Sequence, residues 1–152
     1  CAFQRLPNQE GAYWMTPEQV GQKITAQLHH PVTEVHMVAG IHPKLDYQYY
    51  LDILRAAKRA RPTIHVKAFT MVELDQIAKK AKKPLQEVLP ELIEAGLGSC
   101  PGGGAEVFAE RVHQESYHLK MSGEQWLETA RNYASYSNQS GFYDELAAYL
   151  ER

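Results

Sequence analysis

The residues best suited to chemistry lie in two short runs. Cys100-Pro101-Gly102-Gly103-Gly104-Ala105-Glu106 sets three consecutive glycines ahead of a carboxylate. Glycine lets a backbone N–H approach a ligand with no Cβ in the way, and successive N–H groups can line an anion-binding concavity. Glu106 can accept hydrogen bonds from a pair of hydroxyls or an amine. By residue type alone the run suits a flexible loop as well as a ligand contact, and it is neither GxxxxGK[ST] nor GxGxxG. In Ala39-Gly40-Ile41-His42-Pro43, a histidine follows a glycine and a proline stiffens the loop. That placement suits a site residue and a structural histidine equally. His36 and His65 fall inside apolar-patterned runs and read as core or sheet-face residues, and Tyr49-Tyr50 as packing.

These runs need elements to position them. Thr16, Pro17 and Gln19 form a helix start with a capping box, and Val20, Ile24 and Leu28 follow at steps of four. Residues 34–40 read as a strand running into the His42 loop. Asp46 caps a helix over Tyr47–Arg59 whose inner stripe is Tyr50, Leu51, Leu54 and Ala57. Thr63–Phe69, rich in β-branched residues, is a second strand, and Thr70 opens another helix. Lys79–Lys83 is read as a solvated helix end rather than a phosphate site. Pro84 starts a helix carrying Val88, Leu89, Leu92 and Ile93, which Gly96 ends. Leu97-Gly98-Ser99 makes a short third strand, Val107, Phe108 and Val112 a helical turn, and Ser122 with Gln125 opens a helix bearing Trp126, Leu127, Ala130 and Tyr133. A polar patch from Ser135 and a last helix over Tyr143–Leu150 follow. The crossovers are long enough for parallel strands, so the order predicts an α/β fold with about three parallel strands. In such folds ligands meet the loops at the C-terminal ends of strands, where the His42 loop, Thr70 and the glycine run all lie.

Composition narrows the partners. The 152 residues suffice for one core, with 44 % apolar and 22 % charged content. Sixteen basic and eighteen acidic side chains leave a formal charge of -2, giving no general attraction to nucleic acid or an anionic membrane. No run reaches the roughly 18 apolar residues of a membrane helix, and a secretory signal layout is absent at the start given. Two cysteines, Cys1 and Cys100, are no disulfide framework, so a reducing, cytoplasmic setting is expected. HExxH and CxxC are absent.

Taken in order, CAF at 1–3, GAY at 11–13, EVHMVAGIHP at 34–43, YYLDILRAAK at 49–58, IHVKAFTMVE at 64–73, EVLPELIEAGL at 87–97 and PGGGAEVF at 101–108 resemble one family. They are similar to the radical S-adenosylmethionine enzymes of the futalosine route to menaquinone, over roughly residues 1 to 130. KAFT at 67–70 favours the synthase branch over the cyclising branch. The resemblance implies a partial TIM-like (βα) barrel, of which this chain would hold an arc. It also implies a [4Fe–4S] cluster on a CxxxCxxC motif, S-adenosylmethionine, a small-molecule substrate, and an electron donor such as flavodoxin or ferredoxin.

Residue by residue, Cys1 matches the third cluster cysteine, and Phe3 would lie near the cluster and the adenine. Ala39-Gly40 matches a Gly-Gly pair that receives the methionine amino group, with Ala39 departing from glycine. Gly102, Gly103, Gly104 and Glu106 match the loop expected to contact ribose and substrate, while Lys67 and Thr70 match positions at the third barrel strand's end. His42, Lys67 and Glu106 are the candidates for proton transfer, Glu106 ranking first for ligand binding instead. The first two cluster cysteines are missing and the tail diverges. The expected organisation is therefore an incomplete barrel segment over 1–134 and a polar linker with a C-terminal helix over 135–152. Catalysis by these residues alone is not expected. A non-catalytic remnant that binds nucleosides or a partner, the cyclising branch of the family (dehypoxanthine futalosine cyclase) with a different substrate on the same scaffold, and oligomerisation through open sheet edges are the other readings.

Overall fold

A computed structural model describes Arg5 and residues 8–38, 40–117 and 120–136. Cys1, Phe3, Ala39 and the expected helix over Tyr143–Leu150 lie outside the described residues. Helix α1, Pro17–Thr25, opens with the expected capping box: Thr16 Oγ1 accepts from Gln19 N–H, and Gln19 Oε1 accepts from Thr16 N–H. It ends before Leu28, which is exposed, so only Val20 and Ile24 of the predicted stripe reach the core. Strand β1, Glu34–Met37, leads through the His42 loop to α2, Tyr47–Ala60, capped by Asp46. Tyr50, Leu51, Leu54 and Ala57 are buried as patterned.

Strand β2, His65–Ala68, lies parallel to β1 with Glu34 opposite His65 and His36 opposite Lys67. Helices α3 (Met71–Ala81) and α4 (Leu85–Ala95) follow, then α5 (Glu110–Ser116) and α6 (Gly123–Tyr136). Val88, Leu89 and Leu92 of α4 are fully enclosed, but Ile93 faces solvent. Val107 and Phe108 precede α5 rather than joining it.

The described residues form a small α/β arrangement with a two-stranded parallel sheet, not a three-stranded arc. The expected third strand is one parallel bridge, Ser99 to Lys67, supported by Gly98 N–H to Val66 O at 2.8 Å and Ala68 N–H to Ser99 O at 2.9 Å. Its brevity has a local cause. Gly96 ends α4 at φ +121°, and Pro101, which has no N–H to give a ladder, follows five residues later. Among the described residues β1 has a strand partner on one side only, so the sheet edge is open.

Strand alternation gives the sheet two unlike faces. Val66 and Ala68 are buried in a core shared with α2, α3, α4 and α6, and Val35 and Met37 pack against it. Glu34, His36, His65 and Lys67 line the opposite face. None of the described helices is long and apolar enough to cross a membrane.

Candidate functional site

The wall of the site is the start of α3. Phe69 follows β2 at φ +63°, fully buried and edge-on to Tyr50. Thr70 then caps α3: its Oγ1 accepts from Glu73 N–H, while Glu73 Oε2 accepts from Thr70 N–H at 2.8 Å and from the Thr70 hydroxyl at 2.9 Å. Glu73 is buried, and that burial raises its carboxyl above the ordinary carboxylate range against the lowering effect of both Thr70 bonds. The polar atoms of Thr70 are thus taken up by the cap, and its methyl faces the glycine run.

The glycine run lies across that wall. Gly102 and Gly104 stand at φ +79° and +102°, and a Cβ on Gly104 would meet Val72 Cγ2 at 2.5 Å. A side chain at 104 therefore fails on both conformation and space. The buried Trp126 of α6 donates from Nε1 to Gly103 O at 3.2 Å, and Phe108 packs edge-on against its ring. At the stem, Cys100 N–H donates to Tyr133 Oη at 3.1 Å. Burial of the Cys100 thiol pushes its pKa up to about 12, which makes it an inert packing residue. The run is therefore a shaped surface rather than a loose linker. The N–H groups of Gly102, Gly103 and Gly104 donate to no group among the described residues. Glu106, at φ +58°, holds its exposed carboxylate 2.5 Å from Lys120 Nζ.

The other candidates sit apart. In the loop after β1, His42 Nδ1 accepts from Lys44 N–H at 3.2 Å, and the ring lies 6.3 Å from that of Trp14. Lys80 of α3 donates to the carbonyls of His42 at 3.0 Å, Pro43 at 3.4 Å and Leu45 at 2.7 Å. The basic run is accordingly more than a solvated end: Lys79 pairs with Asp75 and Lys83 with Glu91 as well. Gly40 has open space where a Cβ would stand. Lys67 pairs with Glu34 across the sheet at 3.2 Å, and His65 Nε2 lies 2.8 Å from Ser99 Oγ. No hydrogen bond or ion pair among the described residues joins His42, Lys67 and Glu106 to one another.

Sequence reading placed Lys80 in a solvated helix end and Trp126 on a helix's apolar side, without their loop contacts, and did not single out Lys120. Their partners lie 14 to 38 positions away, and no local spacing announces such contacts.

A [4Fe–4S] cluster does not fit these residues. The chain has two cysteines, of which Cys100 is buried, and no group of three or more His, Cys, Asp or Glu among the described residues could hold a metal ion.

No family model matches the chain. It is 41 % identical over 155 aligned positions to the aminodeoxyfutalosine synthase of Thermus thermophilus, covering 100 % of this chain and 42 % of that protein. That alignment runs past residue 130, the limit expected from the motifs. It is 39 % identical over 127 residues to the cyclic dehypoxanthine futalosine synthase of Halalkalibacterium halodurans (84 % of this chain, 34 % of that protein). It is 38 % identical over 126 residues to a 5-amino-6-(D-ribitylamino)uracil–L-tyrosine 4-hydroxyphenyl transferase of Methanopyrus kandleri (83 % and 34 %). The chain is homologous to radical S-adenosylmethionine enzymes of futalosine chemistry, as its motifs led one to expect, and spans less than half the length of these curated relatives.

Proposed function

We propose that this chain is a segment of a protein of the aminodeoxyfutalosine synthase type, and that its part is to hold the nucleoside end of S-adenosylmethionine. The family resemblance implies that the whole enzyme joins the adenosyl group to 3-[(1-carboxyvinyl)oxy]benzoate in menaquinone biosynthesis. The two strands and the Ser99 bridge fit an arc of a partial (βα) barrel completed by chain or by copies beyond these residues. The observation that carries the reading is the glycine run itself: three N–H groups without a partner among the described residues, braced by Val72 and Trp126, beside an outward carboxylate. Glu106 would take the ribose hydroxyls, the run the polar edge of the ligand, and Gly40 with Ala39 the methionine amino end. Phe3 and Cys1 keep the places the resemblance implies. We assign no proton-transfer step to His42, whose Nδ1 already accepts from Lys44, or to Lys67, which already pairs with Glu34.

Anaerobic iron–sulfur reconstitution of the 152-residue chain tests the reading. Iron and sulfide are quantified, and the reduced sample is examined by electron paramagnetic resonance with and without S-adenosylmethionine. Little bound iron is expected. About four irons per chain, the content of one such cluster, with a spectrum that responds to S-adenosylmethionine, together with S-adenosylmethionine cleavage by the same sample, would show that the chain assembles a working cluster and overturn the segment reading.

A further inference from the structure

Glu106 is a carboxylate whose position is not set by its own short segment. Its backbone is left-handed, and the next turn is tight, with Val107 N–H donating to Ala105 O at 2.7 Å. The side chain is fixed from the far side of α5, where Lys120 Nζ meets Oε1 at 2.5 Å. Lys120 is oriented in turn. Its Nζ lies 5.3 Å from the centre of the Tyr117 ring, and its N–H donates to Tyr117 O at 2.7 Å. His113, buried, anchors this return through Nε2 to Met121 O at 3.0 Å.

An exposed ion pair of this kind adds little to stability. Its consequence is positional. One carboxylate oxygen is held by Lys120, and Oε2 has no hydrogen-bond partner among the described residues. A free carboxylate oxygen can accept from two neighbouring hydroxyls.

We propose that Lys120 is a positioning residue: it pre-orients Glu106 beside the glycine run so that the free oxygen receives a vicinal diol. This rests on the reading of the run as a nucleoside site. Without the ammonium group, the carboxylate must be ordered at the moment of binding, and diol-bearing ligands lose affinity.

The test uses two nucleosides, adenosine and 2′,3′-dideoxyadenosine, titrated into the 152-residue chain and followed by the Trp126 indole resonance, assigned with Trp14→Phe. The unaltered chain is expected to prefer adenosine by about tenfold, the value of one good charge-assisted hydrogen bond. Lys120→Met should shrink that preference to about twofold while leaving dideoxyadenosine affinity unchanged, and Lys120→Arg should restore it. A full preference in Lys120→Met overturns the inference and leaves the site standing. Loss of dideoxyadenosine binding in Lys120→Met overturns it too, since the role is then structural. Equal binding of both nucleosides by the unaltered chain overturns the inference and leaves a nucleoside site without diol recognition, whereas binding of neither removes the nucleoside reading and this inference with it.

Discussion

The loop after β1 and the glycine run after Ser99 leave the same side of the sheet, yet different means hold them. Residues 42–45 are tied down by a side chain, Lys80, whose ammonium collects three backbone carbonyls. The glycine run is shaped by what is missing: Gly104 lacks the Cβ that Val72 would strike. Both supports come from α3, with Val72 in its first turn and Lys80 in its last. A loop held by a flexible cation can adjust to what approaches it. A loop held by backbone shape presents a fixed set of N–H groups, which is what recognition of a rigid ligand requires.

The largest break in this comparison is Gly104→Ala. The left-handed backbone and the close Val72 contact together predict a loss of about 2–4 kcal/mol in denaturant unfolding. Shortening the obstacle sharpens the result: Gly104→Ala with Val72→Ala should recover the steric part and keep the conformational part. Equal stability of Gly104→Ala and the parent chain would mean that the run is soft after all.

Lys80→Met comes next. It removes charge-assisted hydrogen bonds at a half-buried position, with an expected cost of about 1–2 kcal/mol. Amide resonances of residues 42–45 should shift while the Trp126 indole stays in place. Movement of that indole would show that the two loops form one mechanical unit through α3.

The elements were legible where their cause is local. The capping boxes of Thr16 with Gln19 and Ser122 with Gln125, and the buried stripe Tyr50, Leu51, Leu54 and Ala57, depend on neighbours three or four positions away. Leu28 kept the helical spacing but not the helix, because α1 ends at Thr25 and spacing alone does not say where a helix stops. The third strand shrank to a bridge because Gly96 and Pro101 leave too little chain between them for a ladder. At the site, residue type found Gly102–Gly104 and Glu106. What holds them, Trp126 and Lys120, depends on tertiary contacts that periodicity does not encode.

Glu73 supplies the smallest test, and its sign is the result. Burial raises its carboxyl above the ordinary value of 4.5, so the folded chain binds a proton where the unfolded chain does not. At neutral pH the buried carboxylate is a cost to folding. As pH falls through the raised folded-state value that cost is relieved, and the relief is complete below the unfolded value. Stability of the parent chain relative to Glu73→Gln should therefore rise on acidification, by less than either substitution above. A relative fall would mean that the two Thr70 hydrogen bonds outweigh burial. Thr70 would then act as an ion-stabilising cap, and the wall behind the glycine run would depend on charge more than on packing.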